Sequence, residues 1–163
     1  MFYVFFIGPA GSGKSSLVNS LSHWLSDHKI DAATVNLDPG ALTLPYAADV
    51  DVRNYVDIEK IILDYNLGPN GALIACADIM ATKISDIQQE IQDLGNDIVL
   101  VDTPGQMELF TYRSSGPFIV EAFGLKNSMA FFLIDPTLAK KPSHLVSILL
   151  LSLSTQFRFN TPQ

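Results

Sequence analysis

Four short apolar runs punctuate the chain: Phe2–Ile7, Ala32–Leu37, Ile98–Val101 and Met129–Ile134. None alternates apolar with polar residues, which is the pattern of strands covered on both faces in a parallel sheet. Helical stretches lie between them, so the order reads as repeated βαβ units. The first helix is expected over about Lys14 to Ser26, with Leu17, Val18, Leu21, Trp24 and Leu25 on one face and the basic pair His28-Lys29 just past its end. Trp24 is expected to pack on the sheet. From about Asn70 to Leu94, the residues Leu73, Ala77, Met80, Ile84, Ile87, Ile91 and Leu94 recur at alternating spacings of four and three, a seam three heptads long. The spacing predicts a helix packed on its own domain, or one that also contributes to a subunit interface. Between Asp38 and Val56 the chain carries Pro39, Gly40 and Pro45 and is long for a plain connection, which marks a functional segment.

At 163 residues, 48% of them hydrophobic, the chain is the size of one domain with a sizeable core, and a single α/β domain over 1–163 is the expectation. The formal charge of −7, from 10 Lys and Arg against 17 Asp and Glu, argues against a direct nucleic-acid surface, which needs clustered cations. A phosphorylated small ligand is not excluded, because local N–H groups, one lysine and a divalent cation can bind it within an acidic protein. Cys76 is the only cysteine; it cannot form an internal disulfide and suits packing inside a helix in a reducing compartment. Met1 leads straight into a strand with no basic leader, and the apolar run Leu145–Leu151 is too short for a membrane span. A cytoplasmic protein without a membrane partner is expected.

Chemistry enters with Gly8-Pro9-Ala10-Gly11-Ser12-Gly13-Lys14-Ser15, which spells G-x-x-x-x-G-K-[ST] where the first strand turns into the first helix. Glycines let successive backbone N–H groups curl around an anion, and the following helix aims its positive dipole end at the same point. Lys14 supplies a point charge for β/γ-phosphates, Ser15 a hydroxyl for Mg²⁺, and Ser16 completes the phosphate-binding run. The expected fold therefore sharpens to a three-layer P-loop NTPase with a mostly parallel sheet. A second site follows the third apolar run, in Asp102-Thr103-Pro104-Gly105-Gln106. Asp102, at the carboxyl end of a strand, is placed to hold Mg²⁺ directly or through water. Gly105 lets a backbone N–H approach a γ-phosphate, and Gln106 can orient an attacking water. Asp38, after Asn36-Leu37, brings a third carboxylate to the same edge, suited to positioning Mg²⁺ or taking a proton from water. Glu108 either anchors this segment, contacts a partner, or is a solvated acid at a helix start.

Gly68-Pro69-Asn70-Gly71 is by local physics a turn ahead of the heptad-patterned helix. In combination with Gly8–Ser15, Asn36–Pro39 and Asp102–Glu108, and with Leu44-Pro45-Tyr46, Asp51-Val52-Arg53 and Asp135-Pro136, it resembles the GPN-loop GTPases over essentially the whole chain. The resemblance implies a Mg²⁺-dependent GTPase that binds GTP and GDP and forms a homodimer through the region of its Gly-Pro-Asn loop, an insertion-like segment over about 66–95. On that model Gly68 and Pro69 reach toward the partner's nucleotide, Asn70 donates to the γ-phosphate across the dimer, and Gln106 and Asp38 handle water within the subunit. A protein client is also implied, since eukaryotic members are linked to RNA polymerase assembly and import. The family's guanine-reading [NT]-K-x-D segment is absent: Thr82-Lys83-Ile84-Ser85 lacks the Asp and precedes Asp102. The chain reaches Gln163 about where that segment's strand would begin, so the expectation is the N-terminal two-thirds of a family domain, with a strand near Met129–Ile134 short of a sheet partner. A small-molecule kinase and a non-catalytic nucleotide-binding or assembly module remain as alternatives.

Overall fold

The computed structural model describes residues 1–160. The apolar runs become strands β1 (Phe2–Ile7), β2 (Ala32–Asn36), β4 (Ile98–Asp102) and β5 (Ser128–Phe132); a two-residue strand, β3 (Val50–Asp51), lies within the segment read from sequence as a functional loop. They form one sheet in the order β3-β2-β4-β1-β5, with every pairing parallel. After β4 the chain crosses β1 and adds β5 on its far side, so the strand order reverses around β1. Such a switch point opens a crevice at the carboxyl ends of the strands. The register decides what lines it: Asp102 pairs with Phe6 of β1 and with Asn36 of β2, so all three strands end at one level.

Helix α1 (Lys14–Asp27) covers one face, with Val18 and Leu25 packed against Val4, Phe6 and Leu100. Helices α2 (Ile58–Tyr65), α3 (Pro69–Thr82), α4 (Ile84–Leu94), α5 (Met107–Thr111) and α6 (Ser115–Phe123) build the larger core on the other face, against Tyr3, Phe5, Ile7, Val99 and Val101. The strands lack polar alternation because β1, β2 and β4 are sandwiched. Phe123 of α6 makes edge contacts with Tyr3 and Phe5 at centroid distances of 5.0 and 5.6 Å. These are favourable geometries for buried rings. The last described helix, α7 (Pro142–Phe159), docks through Ile148, Thr155 and Phe159. No helix among the described residues is long and apolar enough to cross a membrane.

Three expectations fail for identifiable reasons. Trp24 does not pack on the sheet: it is 51% exposed and stacks on His28 with ring centroids 4.0 Å apart, while Val18, Leu21 and Leu25 fill the contact and Leu17 is also exposed. The core behind α1 is narrow, so the helix buries a stripe and leaves Trp24 on its flank. The long helix over Asn70–Leu94 is two helices, parted at Lys83. Thr82 Oγ1 donates to Ile79 O at 2.7 Å, and Lys83 N is shared between Ile79 O and Met80 O, which tightens the last turn of α3 into 3₁₀ geometry. The seam residues Ala77, Met80, Ile84, Ile87 and Ile91 are buried in the subunit's own core, and Leu94 is exposed. Finally, β5 is not covered on both faces; it forms a sheet edge, as expected of a strand in that region, and Phe131 is 45% exposed. Part of the stretch where a guanine-reading strand would begin, 161–163, lies outside the described residues.

Candidate active site

The β1–α1 connection is shaped by its glycines. Gly8 sits so close to β5's exit that a Cβ there would meet Leu133 O at 2.6 Å, and Gly13 takes φ 94° as it caps α1. A side chain at either position would block or strain the loop. No side chain caps α1's first turn and no acid lies in it, so its N–H groups are left for an anion. Ser12 Oγ is buried without a hydrogen-bond partner among the described residues. Lys14, 6% exposed, folds back over the loop and donates from Nζ to Gly8 O at 2.8 Å and Pro9 O at 3.0 Å. Burial holds its pKa below the ordinary lysine value, against smaller upward pushes from the carboxylates of Asp102, Asp38 and Glu108. The ammonium is thus held in place by carbonyls that a phosphate can outcompete.

Opposite the loop, Asp102 ends β4 with its side chain 1% exposed. Burial raises its pKa, while the Ser15 and Tyr46 hydroxyls and the Lys14 charge lower it. Tyr46 OH donates to Oδ2 at 3.0 Å; Oδ1 is buried with no geometric hydrogen-bond partner among the described residues. A buried carboxylate with one oxygen unpaired, and with the Ser15 hydroxyl close to the group, fits a divalent cation. The described residues hold no cluster of three or more His, Cys, Asp or Glu suited to a metal. Ser15 and Asp102 alone suit Mg²⁺, which keeps waters and takes substrate phosphates as its other ligands.

Asp38 leaves β2 at the same level, and both its oxygens are engaged. Gly40 N donates to Oδ1 at 2.9 Å, and Gly105 N to Oδ2 at 3.0 Å. The donor that the sequence assigned to a γ-phosphate therefore faces a carboxylate, which links the loops after β2 and β4. Asn36, fully buried, fixes Asp38 from below: Asp38 N donates to Asn36 Oδ1, and Asn36 Nδ2 donates to Asp51 Oδ1 at 3.0 Å. Arg53 grips both Asp51 oxygens and donates from Nη1 to Ala41 O at 2.8 Å. Burial raises the Asp51 pKa, but the hydrogen bonds from Arg53 and Asn36 outweigh it and hold the carboxyl below its ordinary value. Thr103 Oγ1 donates to Phe6 O at 2.7 Å, tying the start of the second loop to β1.

Ala10, Gly11, Gly13, Lys14, Ser15, Ser16, Asp38, Thr103 and Gly105 line one cavity of about 350 Å³. Gln106 does not; it precedes α5 and borders an apolar pocket with Pro39, Leu73 and Pro104. Glu108 is exposed in the first turn of α5. Gly68, Pro69 and Asn70 are exposed at the start of α3, with Gly68 as N-cap and Pro69 at the first helical position. Tyr46 carried no assigned role in the sequence, nor did Asp51 and Arg53, because their partners are distant in the chain or stand behind a turn. Their only signal was membership of motifs in the family resemblance.

A glycine loop and lysine at a β1–α1 junction, faced by an aspartate ending a neighbouring parallel strand, define the P-loop class of nucleotide-binding proteins. The comparisons agree. A family model described as "Conserved hypothetical ATP binding protein" matches residues 6–163, and the chain belongs to that family. Its similar proteins are GPN-loop GTPases, as the motifs suggested. Among them is GPN-loop GTPase QQT2 of Arabidopsis thaliana, 35% identical over 159 residues, 96% of this chain and 42% of the relative. GPN-loop GTPase PAB0955 of Pyrococcus abyssi is 39% identical over 142 residues, 86% of this chain and 56% of the relative. The crystal structure of that GTPase in its apo form superposes with a TM-score of 0.88 at 34% identity, covering 99% of this chain and 64% of the other. The chain thus spans about half the length of the curated relatives it matches.

Proposed function

We propose that the protein binds and hydrolyses GTP with Mg²⁺ in a site completed by a second subunit, and acts in the cytoplasm as a switch in the assembly of a protein complex. The observation that carries the nucleotide chemistry is the convergence of Lys14, Ser15, Asp38 and Gly105 on one cavity, with the half-bare Asp102 carboxylate buried at the end of β4 behind it. The β- and γ-phosphates would take the α1 N–H groups and Lys14 Nζ, displacing the latter from Gly8 O and Pro9 O. Ser15 and Asp102 would hold Mg²⁺, which offsets charge on the phosphate oxygens when bound. Water attacks the γ-phosphorus as the bond to the bridging oxygen breaks, and its proton passes to Asp38 or to solvent. For that, Asp38 has to release Gly105 N, which then turns to the γ-phosphate. Gln106 and Glu108 are assigned to steering that water, on the reading that the loop after Asp102 closes on the ligand.

Gly68 and Pro69 are assigned to carrying Asn70 into the partner's site, where an amide donor would meet charge developing on the γ-phosphate. Their exposure supports this reading. The test is complementation. Lys14→Ala chains and Asn70→Ala chains, each deficient alone, are mixed: a hybrid dimer has one site with an intact phosphate loop and an intact Asn70. Partial recovery of GTP hydrolysis is expected, and no recovery despite demonstrated mixed dimers rules out the shared site. Calorimetric titration of GTP, GDP and ATP with Mg²⁺ tests the base. Equal, tight binding of ATP and GTP would overturn the GTP assignment.

A further inference from the structure

We infer that Tyr46 is a positioning residue for Asp102, pinning Oδ2 through its hydroxyl so that Oδ1 is left as the cation-facing oxygen beside Ser15. This rests on reading the cavity as a Mg²⁺–nucleotide site. A buried carboxylate can rotate about its last bond and present either oxygen, or both, to a cation. Here the two oxygens are distinguished: Oδ2 accepts from Tyr46 OH at 3.0 Å, and Oδ1 has no geometric partner among the described residues. The ring packs against the small core behind α1 with Val4, Phe6, Val18 and Leu100, so the hydroxyl's position is set by packing. A hydrogen bond to a carboxylate ligand fixes its orientation, and partners of this kind typically contribute about 10–100-fold to metal affinity.

The link also crosses the molecule. Tyr46 stands 56 residues before Asp102, in the same β2–β3 connection that carries Asp38. That connection therefore touches the phosphate site twice: Asp38 holds Gly105 N, and Tyr46 holds the cation-side carboxylate. The fold gives Asp102 an orienting partner that its own strand and loop do not supply.

The experiment measures the affinity of a fluorescent guanine nucleotide for wild type and Tyr46→Phe, across a Mg²⁺ series and in EDTA. The substitution removes one oxygen and keeps the ring. Affinity in EDTA is expected to stay within about twofold, while the Mg²⁺ concentration for half-maximal gain rises about 10-fold. Asp102→Asn removes the Mg²⁺ gain, and adding Tyr46→Phe to it changes nothing more. Tyr46→Leu separates packing from the hydrogen bond: it removes the ring as well as the hydroxyl and lowers the melting temperature further than Tyr46→Phe does. An unchanged Mg²⁺ half-point in Tyr46→Phe, or an equal loss in EDTA, overturns the assignment of Tyr46 while leaving the nucleotide reading intact. Wild type that shows no Mg²⁺-dependent gain overturns the parent reading and this inference with it.

Discussion

At the carboxyl edge of the sheet, polar groups are buried and nearly all are answered. Lys14 rests on two carbonyls, Asp38 on two amides, Asn36 on Asp38 and Asp51, and Thr103 on Phe6 O. At the start of α3, by contrast, Gly68, Pro69 and Asn70 stand exposed on a helix whose other side is packed into the core through Ala72, Cys76, Ala77 and Met80. The first region is organised before any ligand arrives, because leaving a buried polar group unpaired costs about 1–3 kcal/mol and the fold has removed most such costs. The second is rigidly mounted but chemically uncommitted. A preset polar edge and a presented amide suit the shared site proposed above: one part holds, the other reaches.

The sharpest way to break the contrast is at its centre. Lys14→Ala removes the ammonium proposed to meet the β- and γ-phosphates and is expected to lower kcat/KM for GTP about 1,000-fold, measured by steady-state hydrolysis. Asn70→Ala should lower kcat about 100-fold with GTP affinity within about twofold, because the donor acts only where charge develops. Hydrolysis by that variant at the wild-type rate would leave the exposed turn a plain helix start.

Ile87→Val probes the mounting. Ile87 is buried in the subunit's own core, so the change is expected to cost about 1 kcal/mol in denaturant unfolding, independent of protein concentration. Concentration dependence would place α4 in an interface instead. Smaller still is the contribution of Asp51, whose carboxyl is held below its ordinary value of 3.8 in the folded state. Stability from the Asn36–Asp51–Arg53 link is therefore present above that pH and lost as pH falls through the folded value, and it is at most about 1 kcal/mol. Asp51→Asn should be less stable than wild type at pH 6, with the gap closing in acid. Trp24→Ala is expected to shift stability by no more than about 0.5 kcal/mol, since its indole is half in water. A larger loss would mean that the stack on His28 matters to α1.

The phosphate loop was legible because its chemistry is contiguous: eight residues encode the glycines, the lysine, the hydroxyl and the helix start together. The place of Asp102 was legible for a related reason, since an apolar parallel strand ending in a carboxylate brings it to the sheet's carboxyl edge. The helix over Asn70–Leu94 was half legible. Its heptad spacing marked the buried side correctly from Ala77 to Ile91 but not at Leu94, and spacing is blind to Thr82 competing for Ile79 O, and so to the break at Lys83. Trp24 misled because hydrophobicity reports a tendency to be buried, not the width of the core available.

What the sequence by itself determined was the inventory of local devices: the four main strands, the glycine loop shaped for an anion, and carboxylates placed just at or after strand ends. Strand propensity, glycine geometry and helix starts act over a few residues, and a few residues suffice to read them. The tertiary structure alone decided which devices meet. The parallel register levels Phe6, Asn36 and Asp102. The β2–β3 connection brings Tyr46 to Asp102 and sets Asp38 against Gly105. Those contacts join positions more than fifty residues apart, and they exist only because burying the apolar strands leaves their polar ends a single shared edge on which to find partners.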